Sequence, residues 1–178
     1  MTTLETERLI IRKFEENDWQ DLYEYLSDEA VVKYEPYDVL GEEECKLWAI
    51  CRSQDTAFWA VCLKENNKLI GNLYFEQQEP KEFLTWELGY VFNATYQHKG
   101  YATESSRALL RYSFEKLKIH RIIAMCNPEN SASWRLMERL GMNREGFFRK
   151  KAFFKRDEIG NPIWHDAYEY GILAEDFR

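Results

Sequence analysis

The stretch from Leu84 to Leu117 constrains the fold most, because a strand pattern, a small-residue loop and a helix pattern follow one another without a break. Leu84, Trp86, Leu88, Tyr90 and Phe92 alternate at period two, which predicts a half-buried strand. Ala102, Leu109, Leu110, Phe114 and Leu117 then trace a helical pattern. Between them, Gln97-His98-Lys99-Gly100-Tyr101-Ala102 puts small residues where a loop turns into a helix. A helix start exposes unpaired backbone N–H groups and the positive end of the dipole, which suits a phosphate. The dipole contributes only ~0.3–1 kcal/mol per anionic group, so affinity must come from several converging N–H bonds. Small residues at a helix start serve close packing equally well. The spacing is neither that of a mononucleotide P-loop nor the three-glycine dinucleotide fingerprint.

At 178 residues the chain reads as one domain, 1–178, able to bury roughly 70% of its unfolded surface. Hydrophobic residues make up 45% and aromatic residues 16%, the composition of a globular, ring-rich core. No apolar run approaches the ~20 residues of a membrane span. The N-terminal MTTLETERLIIRKF lacks a signal-peptide core, so the expected location is cytoplasmic. Cys45, Cys51, Cys62 and Cys126 lack zinc or redox spacing and read as reduced, mostly buried thiols. His98, His120 and His165 match no metal spacing. A formal net charge of −7 disfavours nucleic acid and anionic membrane as partners and weakly favours a cationic or amine-bearing substrate.

The first strand is expected near Arg8–Phe14. Asn17 and Gln20 then suggest a cap for a helix with Trp19, Leu22, Tyr23 and Leu26 on one face. A loop at Tyr34–Leu40 precedes a helix opened by Glu42, Glu43 and Glu44, with Leu47, Trp48, Ile50 and Cys51 as its apolar positions. Phe58–Leu63 and Leu69–Phe75 form a hairpin through Glu65–Lys68, and the Leu84 strand follows. Arg121–Cys126 is an apolar strand reached by a right-handed crossover. Asn130 caps a short helix that Gly141 ends, and two strands close the pattern, Asn143–Phe154 and Pro162–Leu173. The order predicts an α+β domain with a mostly antiparallel sheet of about seven strands and about four helices.

These residues in this order resemble the GNAT superfamily of acetyl-CoA-dependent N-acetyltransferases, and within it the RimJ/RimL group. The resemblance rests on TERLIIRKF, WELGY, QHKGYA, NPENSASWRLMERLGM and the closing Trp-x-Asp…Tyr stretch, and it covers nearly the whole chain. It implies a mixed, twisted sheet whose fourth and fifth strands splay apart around the pantetheine arm of acetyl-CoA. Backbone groups of Tyr90, Val91 and Phe92 would pair with the pantetheine amides. The N–H groups of Gln97, His98, Lys99, Gly100, Tyr101, Ala102 and Thr103 would hold the pyrophosphate. Asn127, Asn130 and Ser133 would lie near the thioester, and for Asn130 and Ser133 plain helix capping is an equally physical role.

Acetyl transfer needs a neutral amine. Deprotonation at pH 7 costs about 1 kcal/mol for an α-amine and roughly 4–5 kcal/mol for a lysine amine. A modest base is therefore enough for a terminal amine, and positioning supplies much of the rate. Glu87, opposite Trp86 and Leu88 on its strand, is the expected base, although a solvated strand glutamate reads the same way. Ser133 resembles a serine proposed as acid in RimL-like enzymes. Met137 stands where many relatives carry a tyrosine, and Ala152 where some RimL-type proteins carry a glutamate.

Arg149, Lys150, Lys151, Lys155 and Arg156 form a basic run, read as a solvated face or as a contact for acidic groups. Trp164 and Tyr168 read as packing residues. The expected partner is an amine, either a small molecule or a protein N-terminus, with no metal, and the protein is a monomer or homodimer. Two other readings remain: a non-catalytic acyl-CoA-binding module, and a phosphate-binding protein without acyl chemistry.

Overall fold

The computed structural model describes residues 2–177. Its sheet has eight strands: β1 (Leu4–Glu5), β2 (Leu9–Lys13), β3 (Phe58–Leu63), β4 (Leu69–Gln77), β5 (Thr85–Phe92), β6 (Arg121–Cys126), β7 (Asn143–Arg156) and β8 (Pro162–Leu173). They lie in the order β1-β2-β3-β4-β5-β6-β8-β7. Every pair is antiparallel except β5–β6. The helices are α1 (Trp19–Leu26), α2 (Glu29–Val32), α3 (Glu42–Gln54), α4 (Tyr101–Glu115) and α5 (Ser131–Arg139).

The α+β architecture follows the sequence reading, with two additions. The expected seven strands become eight because Leu4 and Glu5 pair with Ile11 and Ile10. The expected four helices become five because the single turn Glu29–Val32 is capped by the Asp28 side chain, which accepts from the Ala30 N–H. Both elements are too short to leave a periodic signal.

The helices cover the two faces of the sheet with separate cores. On one face α4 and α5 bury Leu109, Leu110, Phe114, Leu136 and Met137 against Leu73, Leu88, Phe92 and Ile122. Each such side chain contributes ~1.5–3 kcal/mol when fully buried. On the other face α1, α2 and α3 bury Leu22, Tyr25, Leu26, Val32, Cys45 and Ala49 against Phe14, Ala60, Leu69 and Val91.

Side-chain detail departs from expectation on that second face. Asp18, not Asn17, stands at the N-cap of α1; its carboxylate accepts from the Glu15 N–H at 2.8 Å, closing the short turn Glu16–Asp18 that leads into the helix, and also holds Arg12 at 2.7 Å. Tyr25, not Tyr23, points inward, since its hydroxyl reaches Asn72 Oδ1 at 2.8 Å. In α3 the expected apolar stripe is exposed at Leu47, Ile50 and Cys51, and Arg52 is buried instead. The guanidinium donates to Asn72 Oδ1 at 3.0 Å and lies over the rings of Phe58, Trp48 and Phe14. Periodicity cannot foresee a buried arginine, because its partners come from other elements.

Strands β5 and β6 pair only at Thr85↔Arg121, Trp86↔Ile122 and Glu87↔Ile123. Beyond Glu87 each follows its other neighbour: β5 stays on β4 to Phe92↔Gly71, and β6 stays on β8 to Cys126↔Tyr168. Gly71 lets β4 close tightly on the end of β5, for a Cβ there would stand 2.5 Å from Phe92 Cδ1 and 2.6 Å from the Val91 carbonyl oxygen. This is the splay expected between the fourth and fifth strands; counting Leu4–Glu5 makes them fifth and sixth.

Candidate active site

A cleft of about 490 Å³ occupies the space where β5 and β6 part. That is a fitting volume for a small-molecule site. Tyr90, Val91 and Phe92 form one wall, the loop Tyr96–Gly100 and the start of α4 another, and Asn130–Ser133 with Arg135, Leu136 and Arg139 of α5 a third. Val31 and Glu35, at and beyond α2, close one end. Tyr90 packs with the α4–α5 core, while Val91 belongs to the α1–α3 core. One cleft lined from both faces of the sheet runs through it.

The loop before α4 is shaped by backbone of unusual hand. His98 has φ 60° and Gly100 φ 85°, and Gly100 is the N-cap of α4 without a side-chain cap bond. The Glu104 N–H donates to the Gly100 carbonyl, so the first helical bond is made there and the N–H groups of Tyr101, Ala102 and Thr103 precede it. A chain that alternates its hand at a fifteen-residue helix start forms a concave nest for an anion. An added Cβ on Gly100 would meet Arg8 Nη2 at 3.4 Å, and its φ would strain any other residue. Arg8 braces the loop from behind, donating to the Lys99 carbonyl at 3.0 Å and pairing with Glu104 at 2.6 Å. Arg135 and Arg139, one turn apart on α5, bring positive charge to the cleft. Their i, i+4 spacing was the available sequence signal for them.

At the middle of the cleft two hydroxyls meet. Tyr90 Oη donates to the Ser133 carbonyl at 3.0 Å and lies 2.9 Å from Ser133 Oγ. Burial pushes the Tyr90 phenol well above its ordinary range, against the hydrogen bond from Ser133. It is therefore a neutral hydroxyl at any working pH. Asn130 caps α5 through the Ser133 N–H at 3.2 Å, so capping and cleft lining coincide at these residues. Burial pushes the nearby Cys126 thiol up to about 11.

Of the residues singled out from sequence, Tyr90, Val91, Phe92, Gln97, His98, Gly100, Tyr101, Ala102, Thr103, Asn130 and Ser133 all line this cleft. Lys99 and Asn127 stand outside the lining. The Lys99 ammonium lies over the Tyr96 ring, and the Asn127 amide faces His165 Nδ1 at 3.2 Å and accepts from the Glu129 N–H. Glu87 is outside it too, on the sheet face away from Tyr90, paired across the strand with Glu76. Burial, Glu169 and Glu76 raise its pKa, and Lys151 opposes them. Sequence reasoning missed Val31, Glu35, Tyr96, Arg135, Leu136 and Arg139.

The basic run does not act as a unit. Lys155 pairs with Asp38 at 2.9 Å, bringing the β7–β8 hairpin to the loop that holds Glu35, while Lys151 covers Phe148 and Arg156 covers Phe153. Trp164, expected to pack, is 48% exposed, with only Phe153 against its ring edge.

Known proteins are similar to this chain in sequence and fold. The family profile described as an acetyltransferase (GNAT) domain matches residues 8–143. The uncharacterised N-acetyltransferase YnaD of Bacillus subtilis is 45% identical over 97% of this chain and 98% of its own length. The ribosomal protein uS5-alanine N-acetyltransferase of Escherichia coli is 30% identical over 81% of this chain and 79% of its own. A crystal structure of a GNAT-family acetyltransferase from Bacillus anthracis superposes with a TM-score of 0.88 at 42% identity, covering 98% of this chain and 99% of that one.

Proposed function

The chain belongs to the GNAT acetyltransferase family, and from that premise we propose that it carries an acetyl group from acetyl-CoA to a primary amine within one ternary complex. The observation that carries this is the cleft through the parted strands, ending at the uncapped N-terminus of α4 beside Arg135 and Arg139. Acetyl-CoA supplies the acetyl group as a thioester, already activated toward amines.

The residues present fit that molecule. The free edge of β5 at Tyr90, Val91 and Phe92 offers backbone groups to pantetheine amides, as an added strand would. The N–H groups from His98 to Thr103 receive the pyrophosphate, with Lys99 contributing through its backbone, while the expected Gln97 N–H is held instead by the Ala94 carbonyl at 3.2 Å. Asn130 and Ser133 flank the thioester end, and Asn127 helps hold that end through His165. The paired hydroxyls of Tyr90 and Ser133 supply the neutral donors that a carbonyl oxygen or departing sulfur needs. Tyr90 thus fills from the strand the place left by Met137 on the helix. Cys126, held as a thiol, is a poor nucleophile, which favours direct attack by the amine over an acyl-enzyme. Residues 1–178 act as one catalytic domain, for both cores rest on the same sheet.

The acceptor is an amine that carries its positive charge into a site with carboxylates at hand: Glu35 in the cleft, and Glu87 with Glu76 and Glu169 on the adjoining sheet. A protein N-terminus is included, since the 30% identical relative is named for a ribosomal-protein alanine. Calorimetry with acetyl-CoA, followed by thiol release against N-terminal peptides and alkyl amines, tests the reading. The expected result is one coenzyme site per chain and turnover with at least one amine. Folded protein giving no heat with coenzyme A ends it.

A further inference from the structure

Glu35 is the only carboxylate among the described residues that line the cleft, where it shares the surface with Tyr90 and Ser133. Three elements build its setting. Its own N–H donates to the Val32 carbonyl at 3.0 Å, which anchors the loop to the end of α2. Tyr37 from the same loop stacks edge-on against Trp48 of α3, with ring centroids 4.9 Å apart. Arg52, also from α3, is 4% exposed and has no carboxylate within 4.0 Å among the described residues. Its positive charge is felt at Glu35 and at the Tyr37 hydroxyl.

Resting on the acetyltransferase reading, we propose that Glu35 is the catalytic base that takes the proton from the acceptor ammonium. The carboxylate removes one proton from R–NH₃⁺ and later releases it to solvent. The neutral nitrogen then forms a bond to the thioester carbon, whose C=O electrons move onto oxygen beside the Tyr90–Ser133 hydroxyls. As the carbonyl re-forms, the C–S bond breaks, and the second nitrogen proton ends on sulfur, giving amide and free thiol.

The electrostatics agree with that task. Burial pushes the Glu35 carboxyl up to about 7, with Tyr37 and Arg52 pulling the other way. The other charged or titratable groups that line the cleft are Tyr90 on β5, Tyr96 and His98 on the loop before α4, Tyr101 on α4, and Arg135 and Arg139 on α5, while Asp38 of the Glu35 loop is paired with Lys155. A base poised near the working pH transfers protons most effectively. Glu87 lacks this access, because it does not reach the cleft where Tyr90 and Ser133 meet.

Acetyl-CoA calorimetry and pH-dependent turnover are measured on wild-type, E35Q, E35D and E87Q proteins. The acceptors are an N-terminal peptide, whose amine titrates at about 7.7–8.0, and a long-chain alkyl diamine, whose amines titrate at about 10, so the pH profile is read with the diamine. E35Q is expected to bind acetyl-CoA within about threefold of wild type and to lose roughly 100-fold or more in kcat/KM at pH 7. It also loses the levelling-off above pH 7 and climbs steadily with the amine's own ionisation, whereas E35D keeps the bend at a lower plateau. Retention of that bend in E35Q, or its loss in E87Q alone, overturns the assignment while leaving the coenzyme site standing. Wild-type protein that binds no coenzyme overturns the acetyltransferase reading instead. Carboxyl ¹³C NMR reads Glu35 without any acceptor: a midpoint near 7 supports the assignment, and one at the ordinary glutamate value refutes it.

Discussion

The two ends of the cleft are built by different means. The end toward α4 is made of backbone from one continuous stretch, Tyr90–Thr103, with α5 laid beside it. The end toward α2 is lined by Val31 and Glu35 and backed by buried side chains gathered from far apart: Tyr25 bonds Asn72 across 47 positions of sequence, and Arg52 bonds the same oxygen across 20. A backbone nest serves any ligand with a diphosphate, whereas a gathered set of side chains can be retuned one residue at a time. On the proposed reading, shared coenzyme chemistry and private acceptor choice are thereby kept apart within one cavity.

Substitutions that injure one end and spare the other put this division at risk. The largest effect is expected of Gly100→Val, which must hold a β-branched residue at φ 85°. The left-handed backbone costs about 1–2 kcal/mol, and the side chain fills the nest as well. Acetyl-CoA affinity by calorimetry should fall about 100-fold or more, while Glu35 titrates as before. Tyr90→Phe comes next. It removes the hydroxyl that contacts Ser133 at both its carbonyl and Oγ. Turnover should drop roughly 100-fold, the usual scale for one lost transition-state donor, with coenzyme affinity nearly unchanged. Equal losses in both would mean that the two ends are one mechanical unit.

The third expectation concerns pH and stability. Glu35 titrates at about 7 in the fold against 4.5 unperturbed, so the fold favours its protonated form. That stabilisation is complete below about pH 4.5 and lost as pH rises through about 7. Gln mimics the protonated state. E35Q and wild type should therefore unfold alike near pH 4.5, with E35Q more stable at pH 8 by at most about 3 kcal/mol in denaturant melts. The smallest effect belongs to Lys155→Ala. Its partner Asp38 is 79% exposed, so stability should change by less than ~1 kcal/mol. A change confined to the acceptor KM, and weakened by salt, would place the hairpin at the acceptor end alone.

The same division explains what the sequence made legible. The strand, loop and helix between Thr85 and Glu115 depend on neighbours in the chain, so their pattern survived in the residues, as did the Asn130 cap and the Gly141 stop; Leu84 and Leu117, expected at the two ends of the pattern, lie exposed outside the strand and the helix. Glu35 was passed over as part of a loop. Nothing local distinguishes it, because its burial is conferred by a helix that turns an arginine inward and two leucine-like positions outward. Arg52 broke the apolar stripe expected of α3 for the same reason. Glu87 was legible as a glutamate on the strand face opposite Trp86 and Leu88, but which side of a parted sheet the cleft opens toward depends on α2 and its loop.

Three residue pairs are all that tie β5 to β6 within the sheet. The domain is in that sense two half-sheets meeting along a short seam, with most of the seam left for a guest to complete. A coenzyme bridging it is a structural member as well as a reactant. At one hundred times its dissociation constant, a bound ligand raises folding stability by about 2.7 kcal/mol. On the proposed reading, part of the enzyme's stability would then be lent by its substrate and would vary with that substrate's supply.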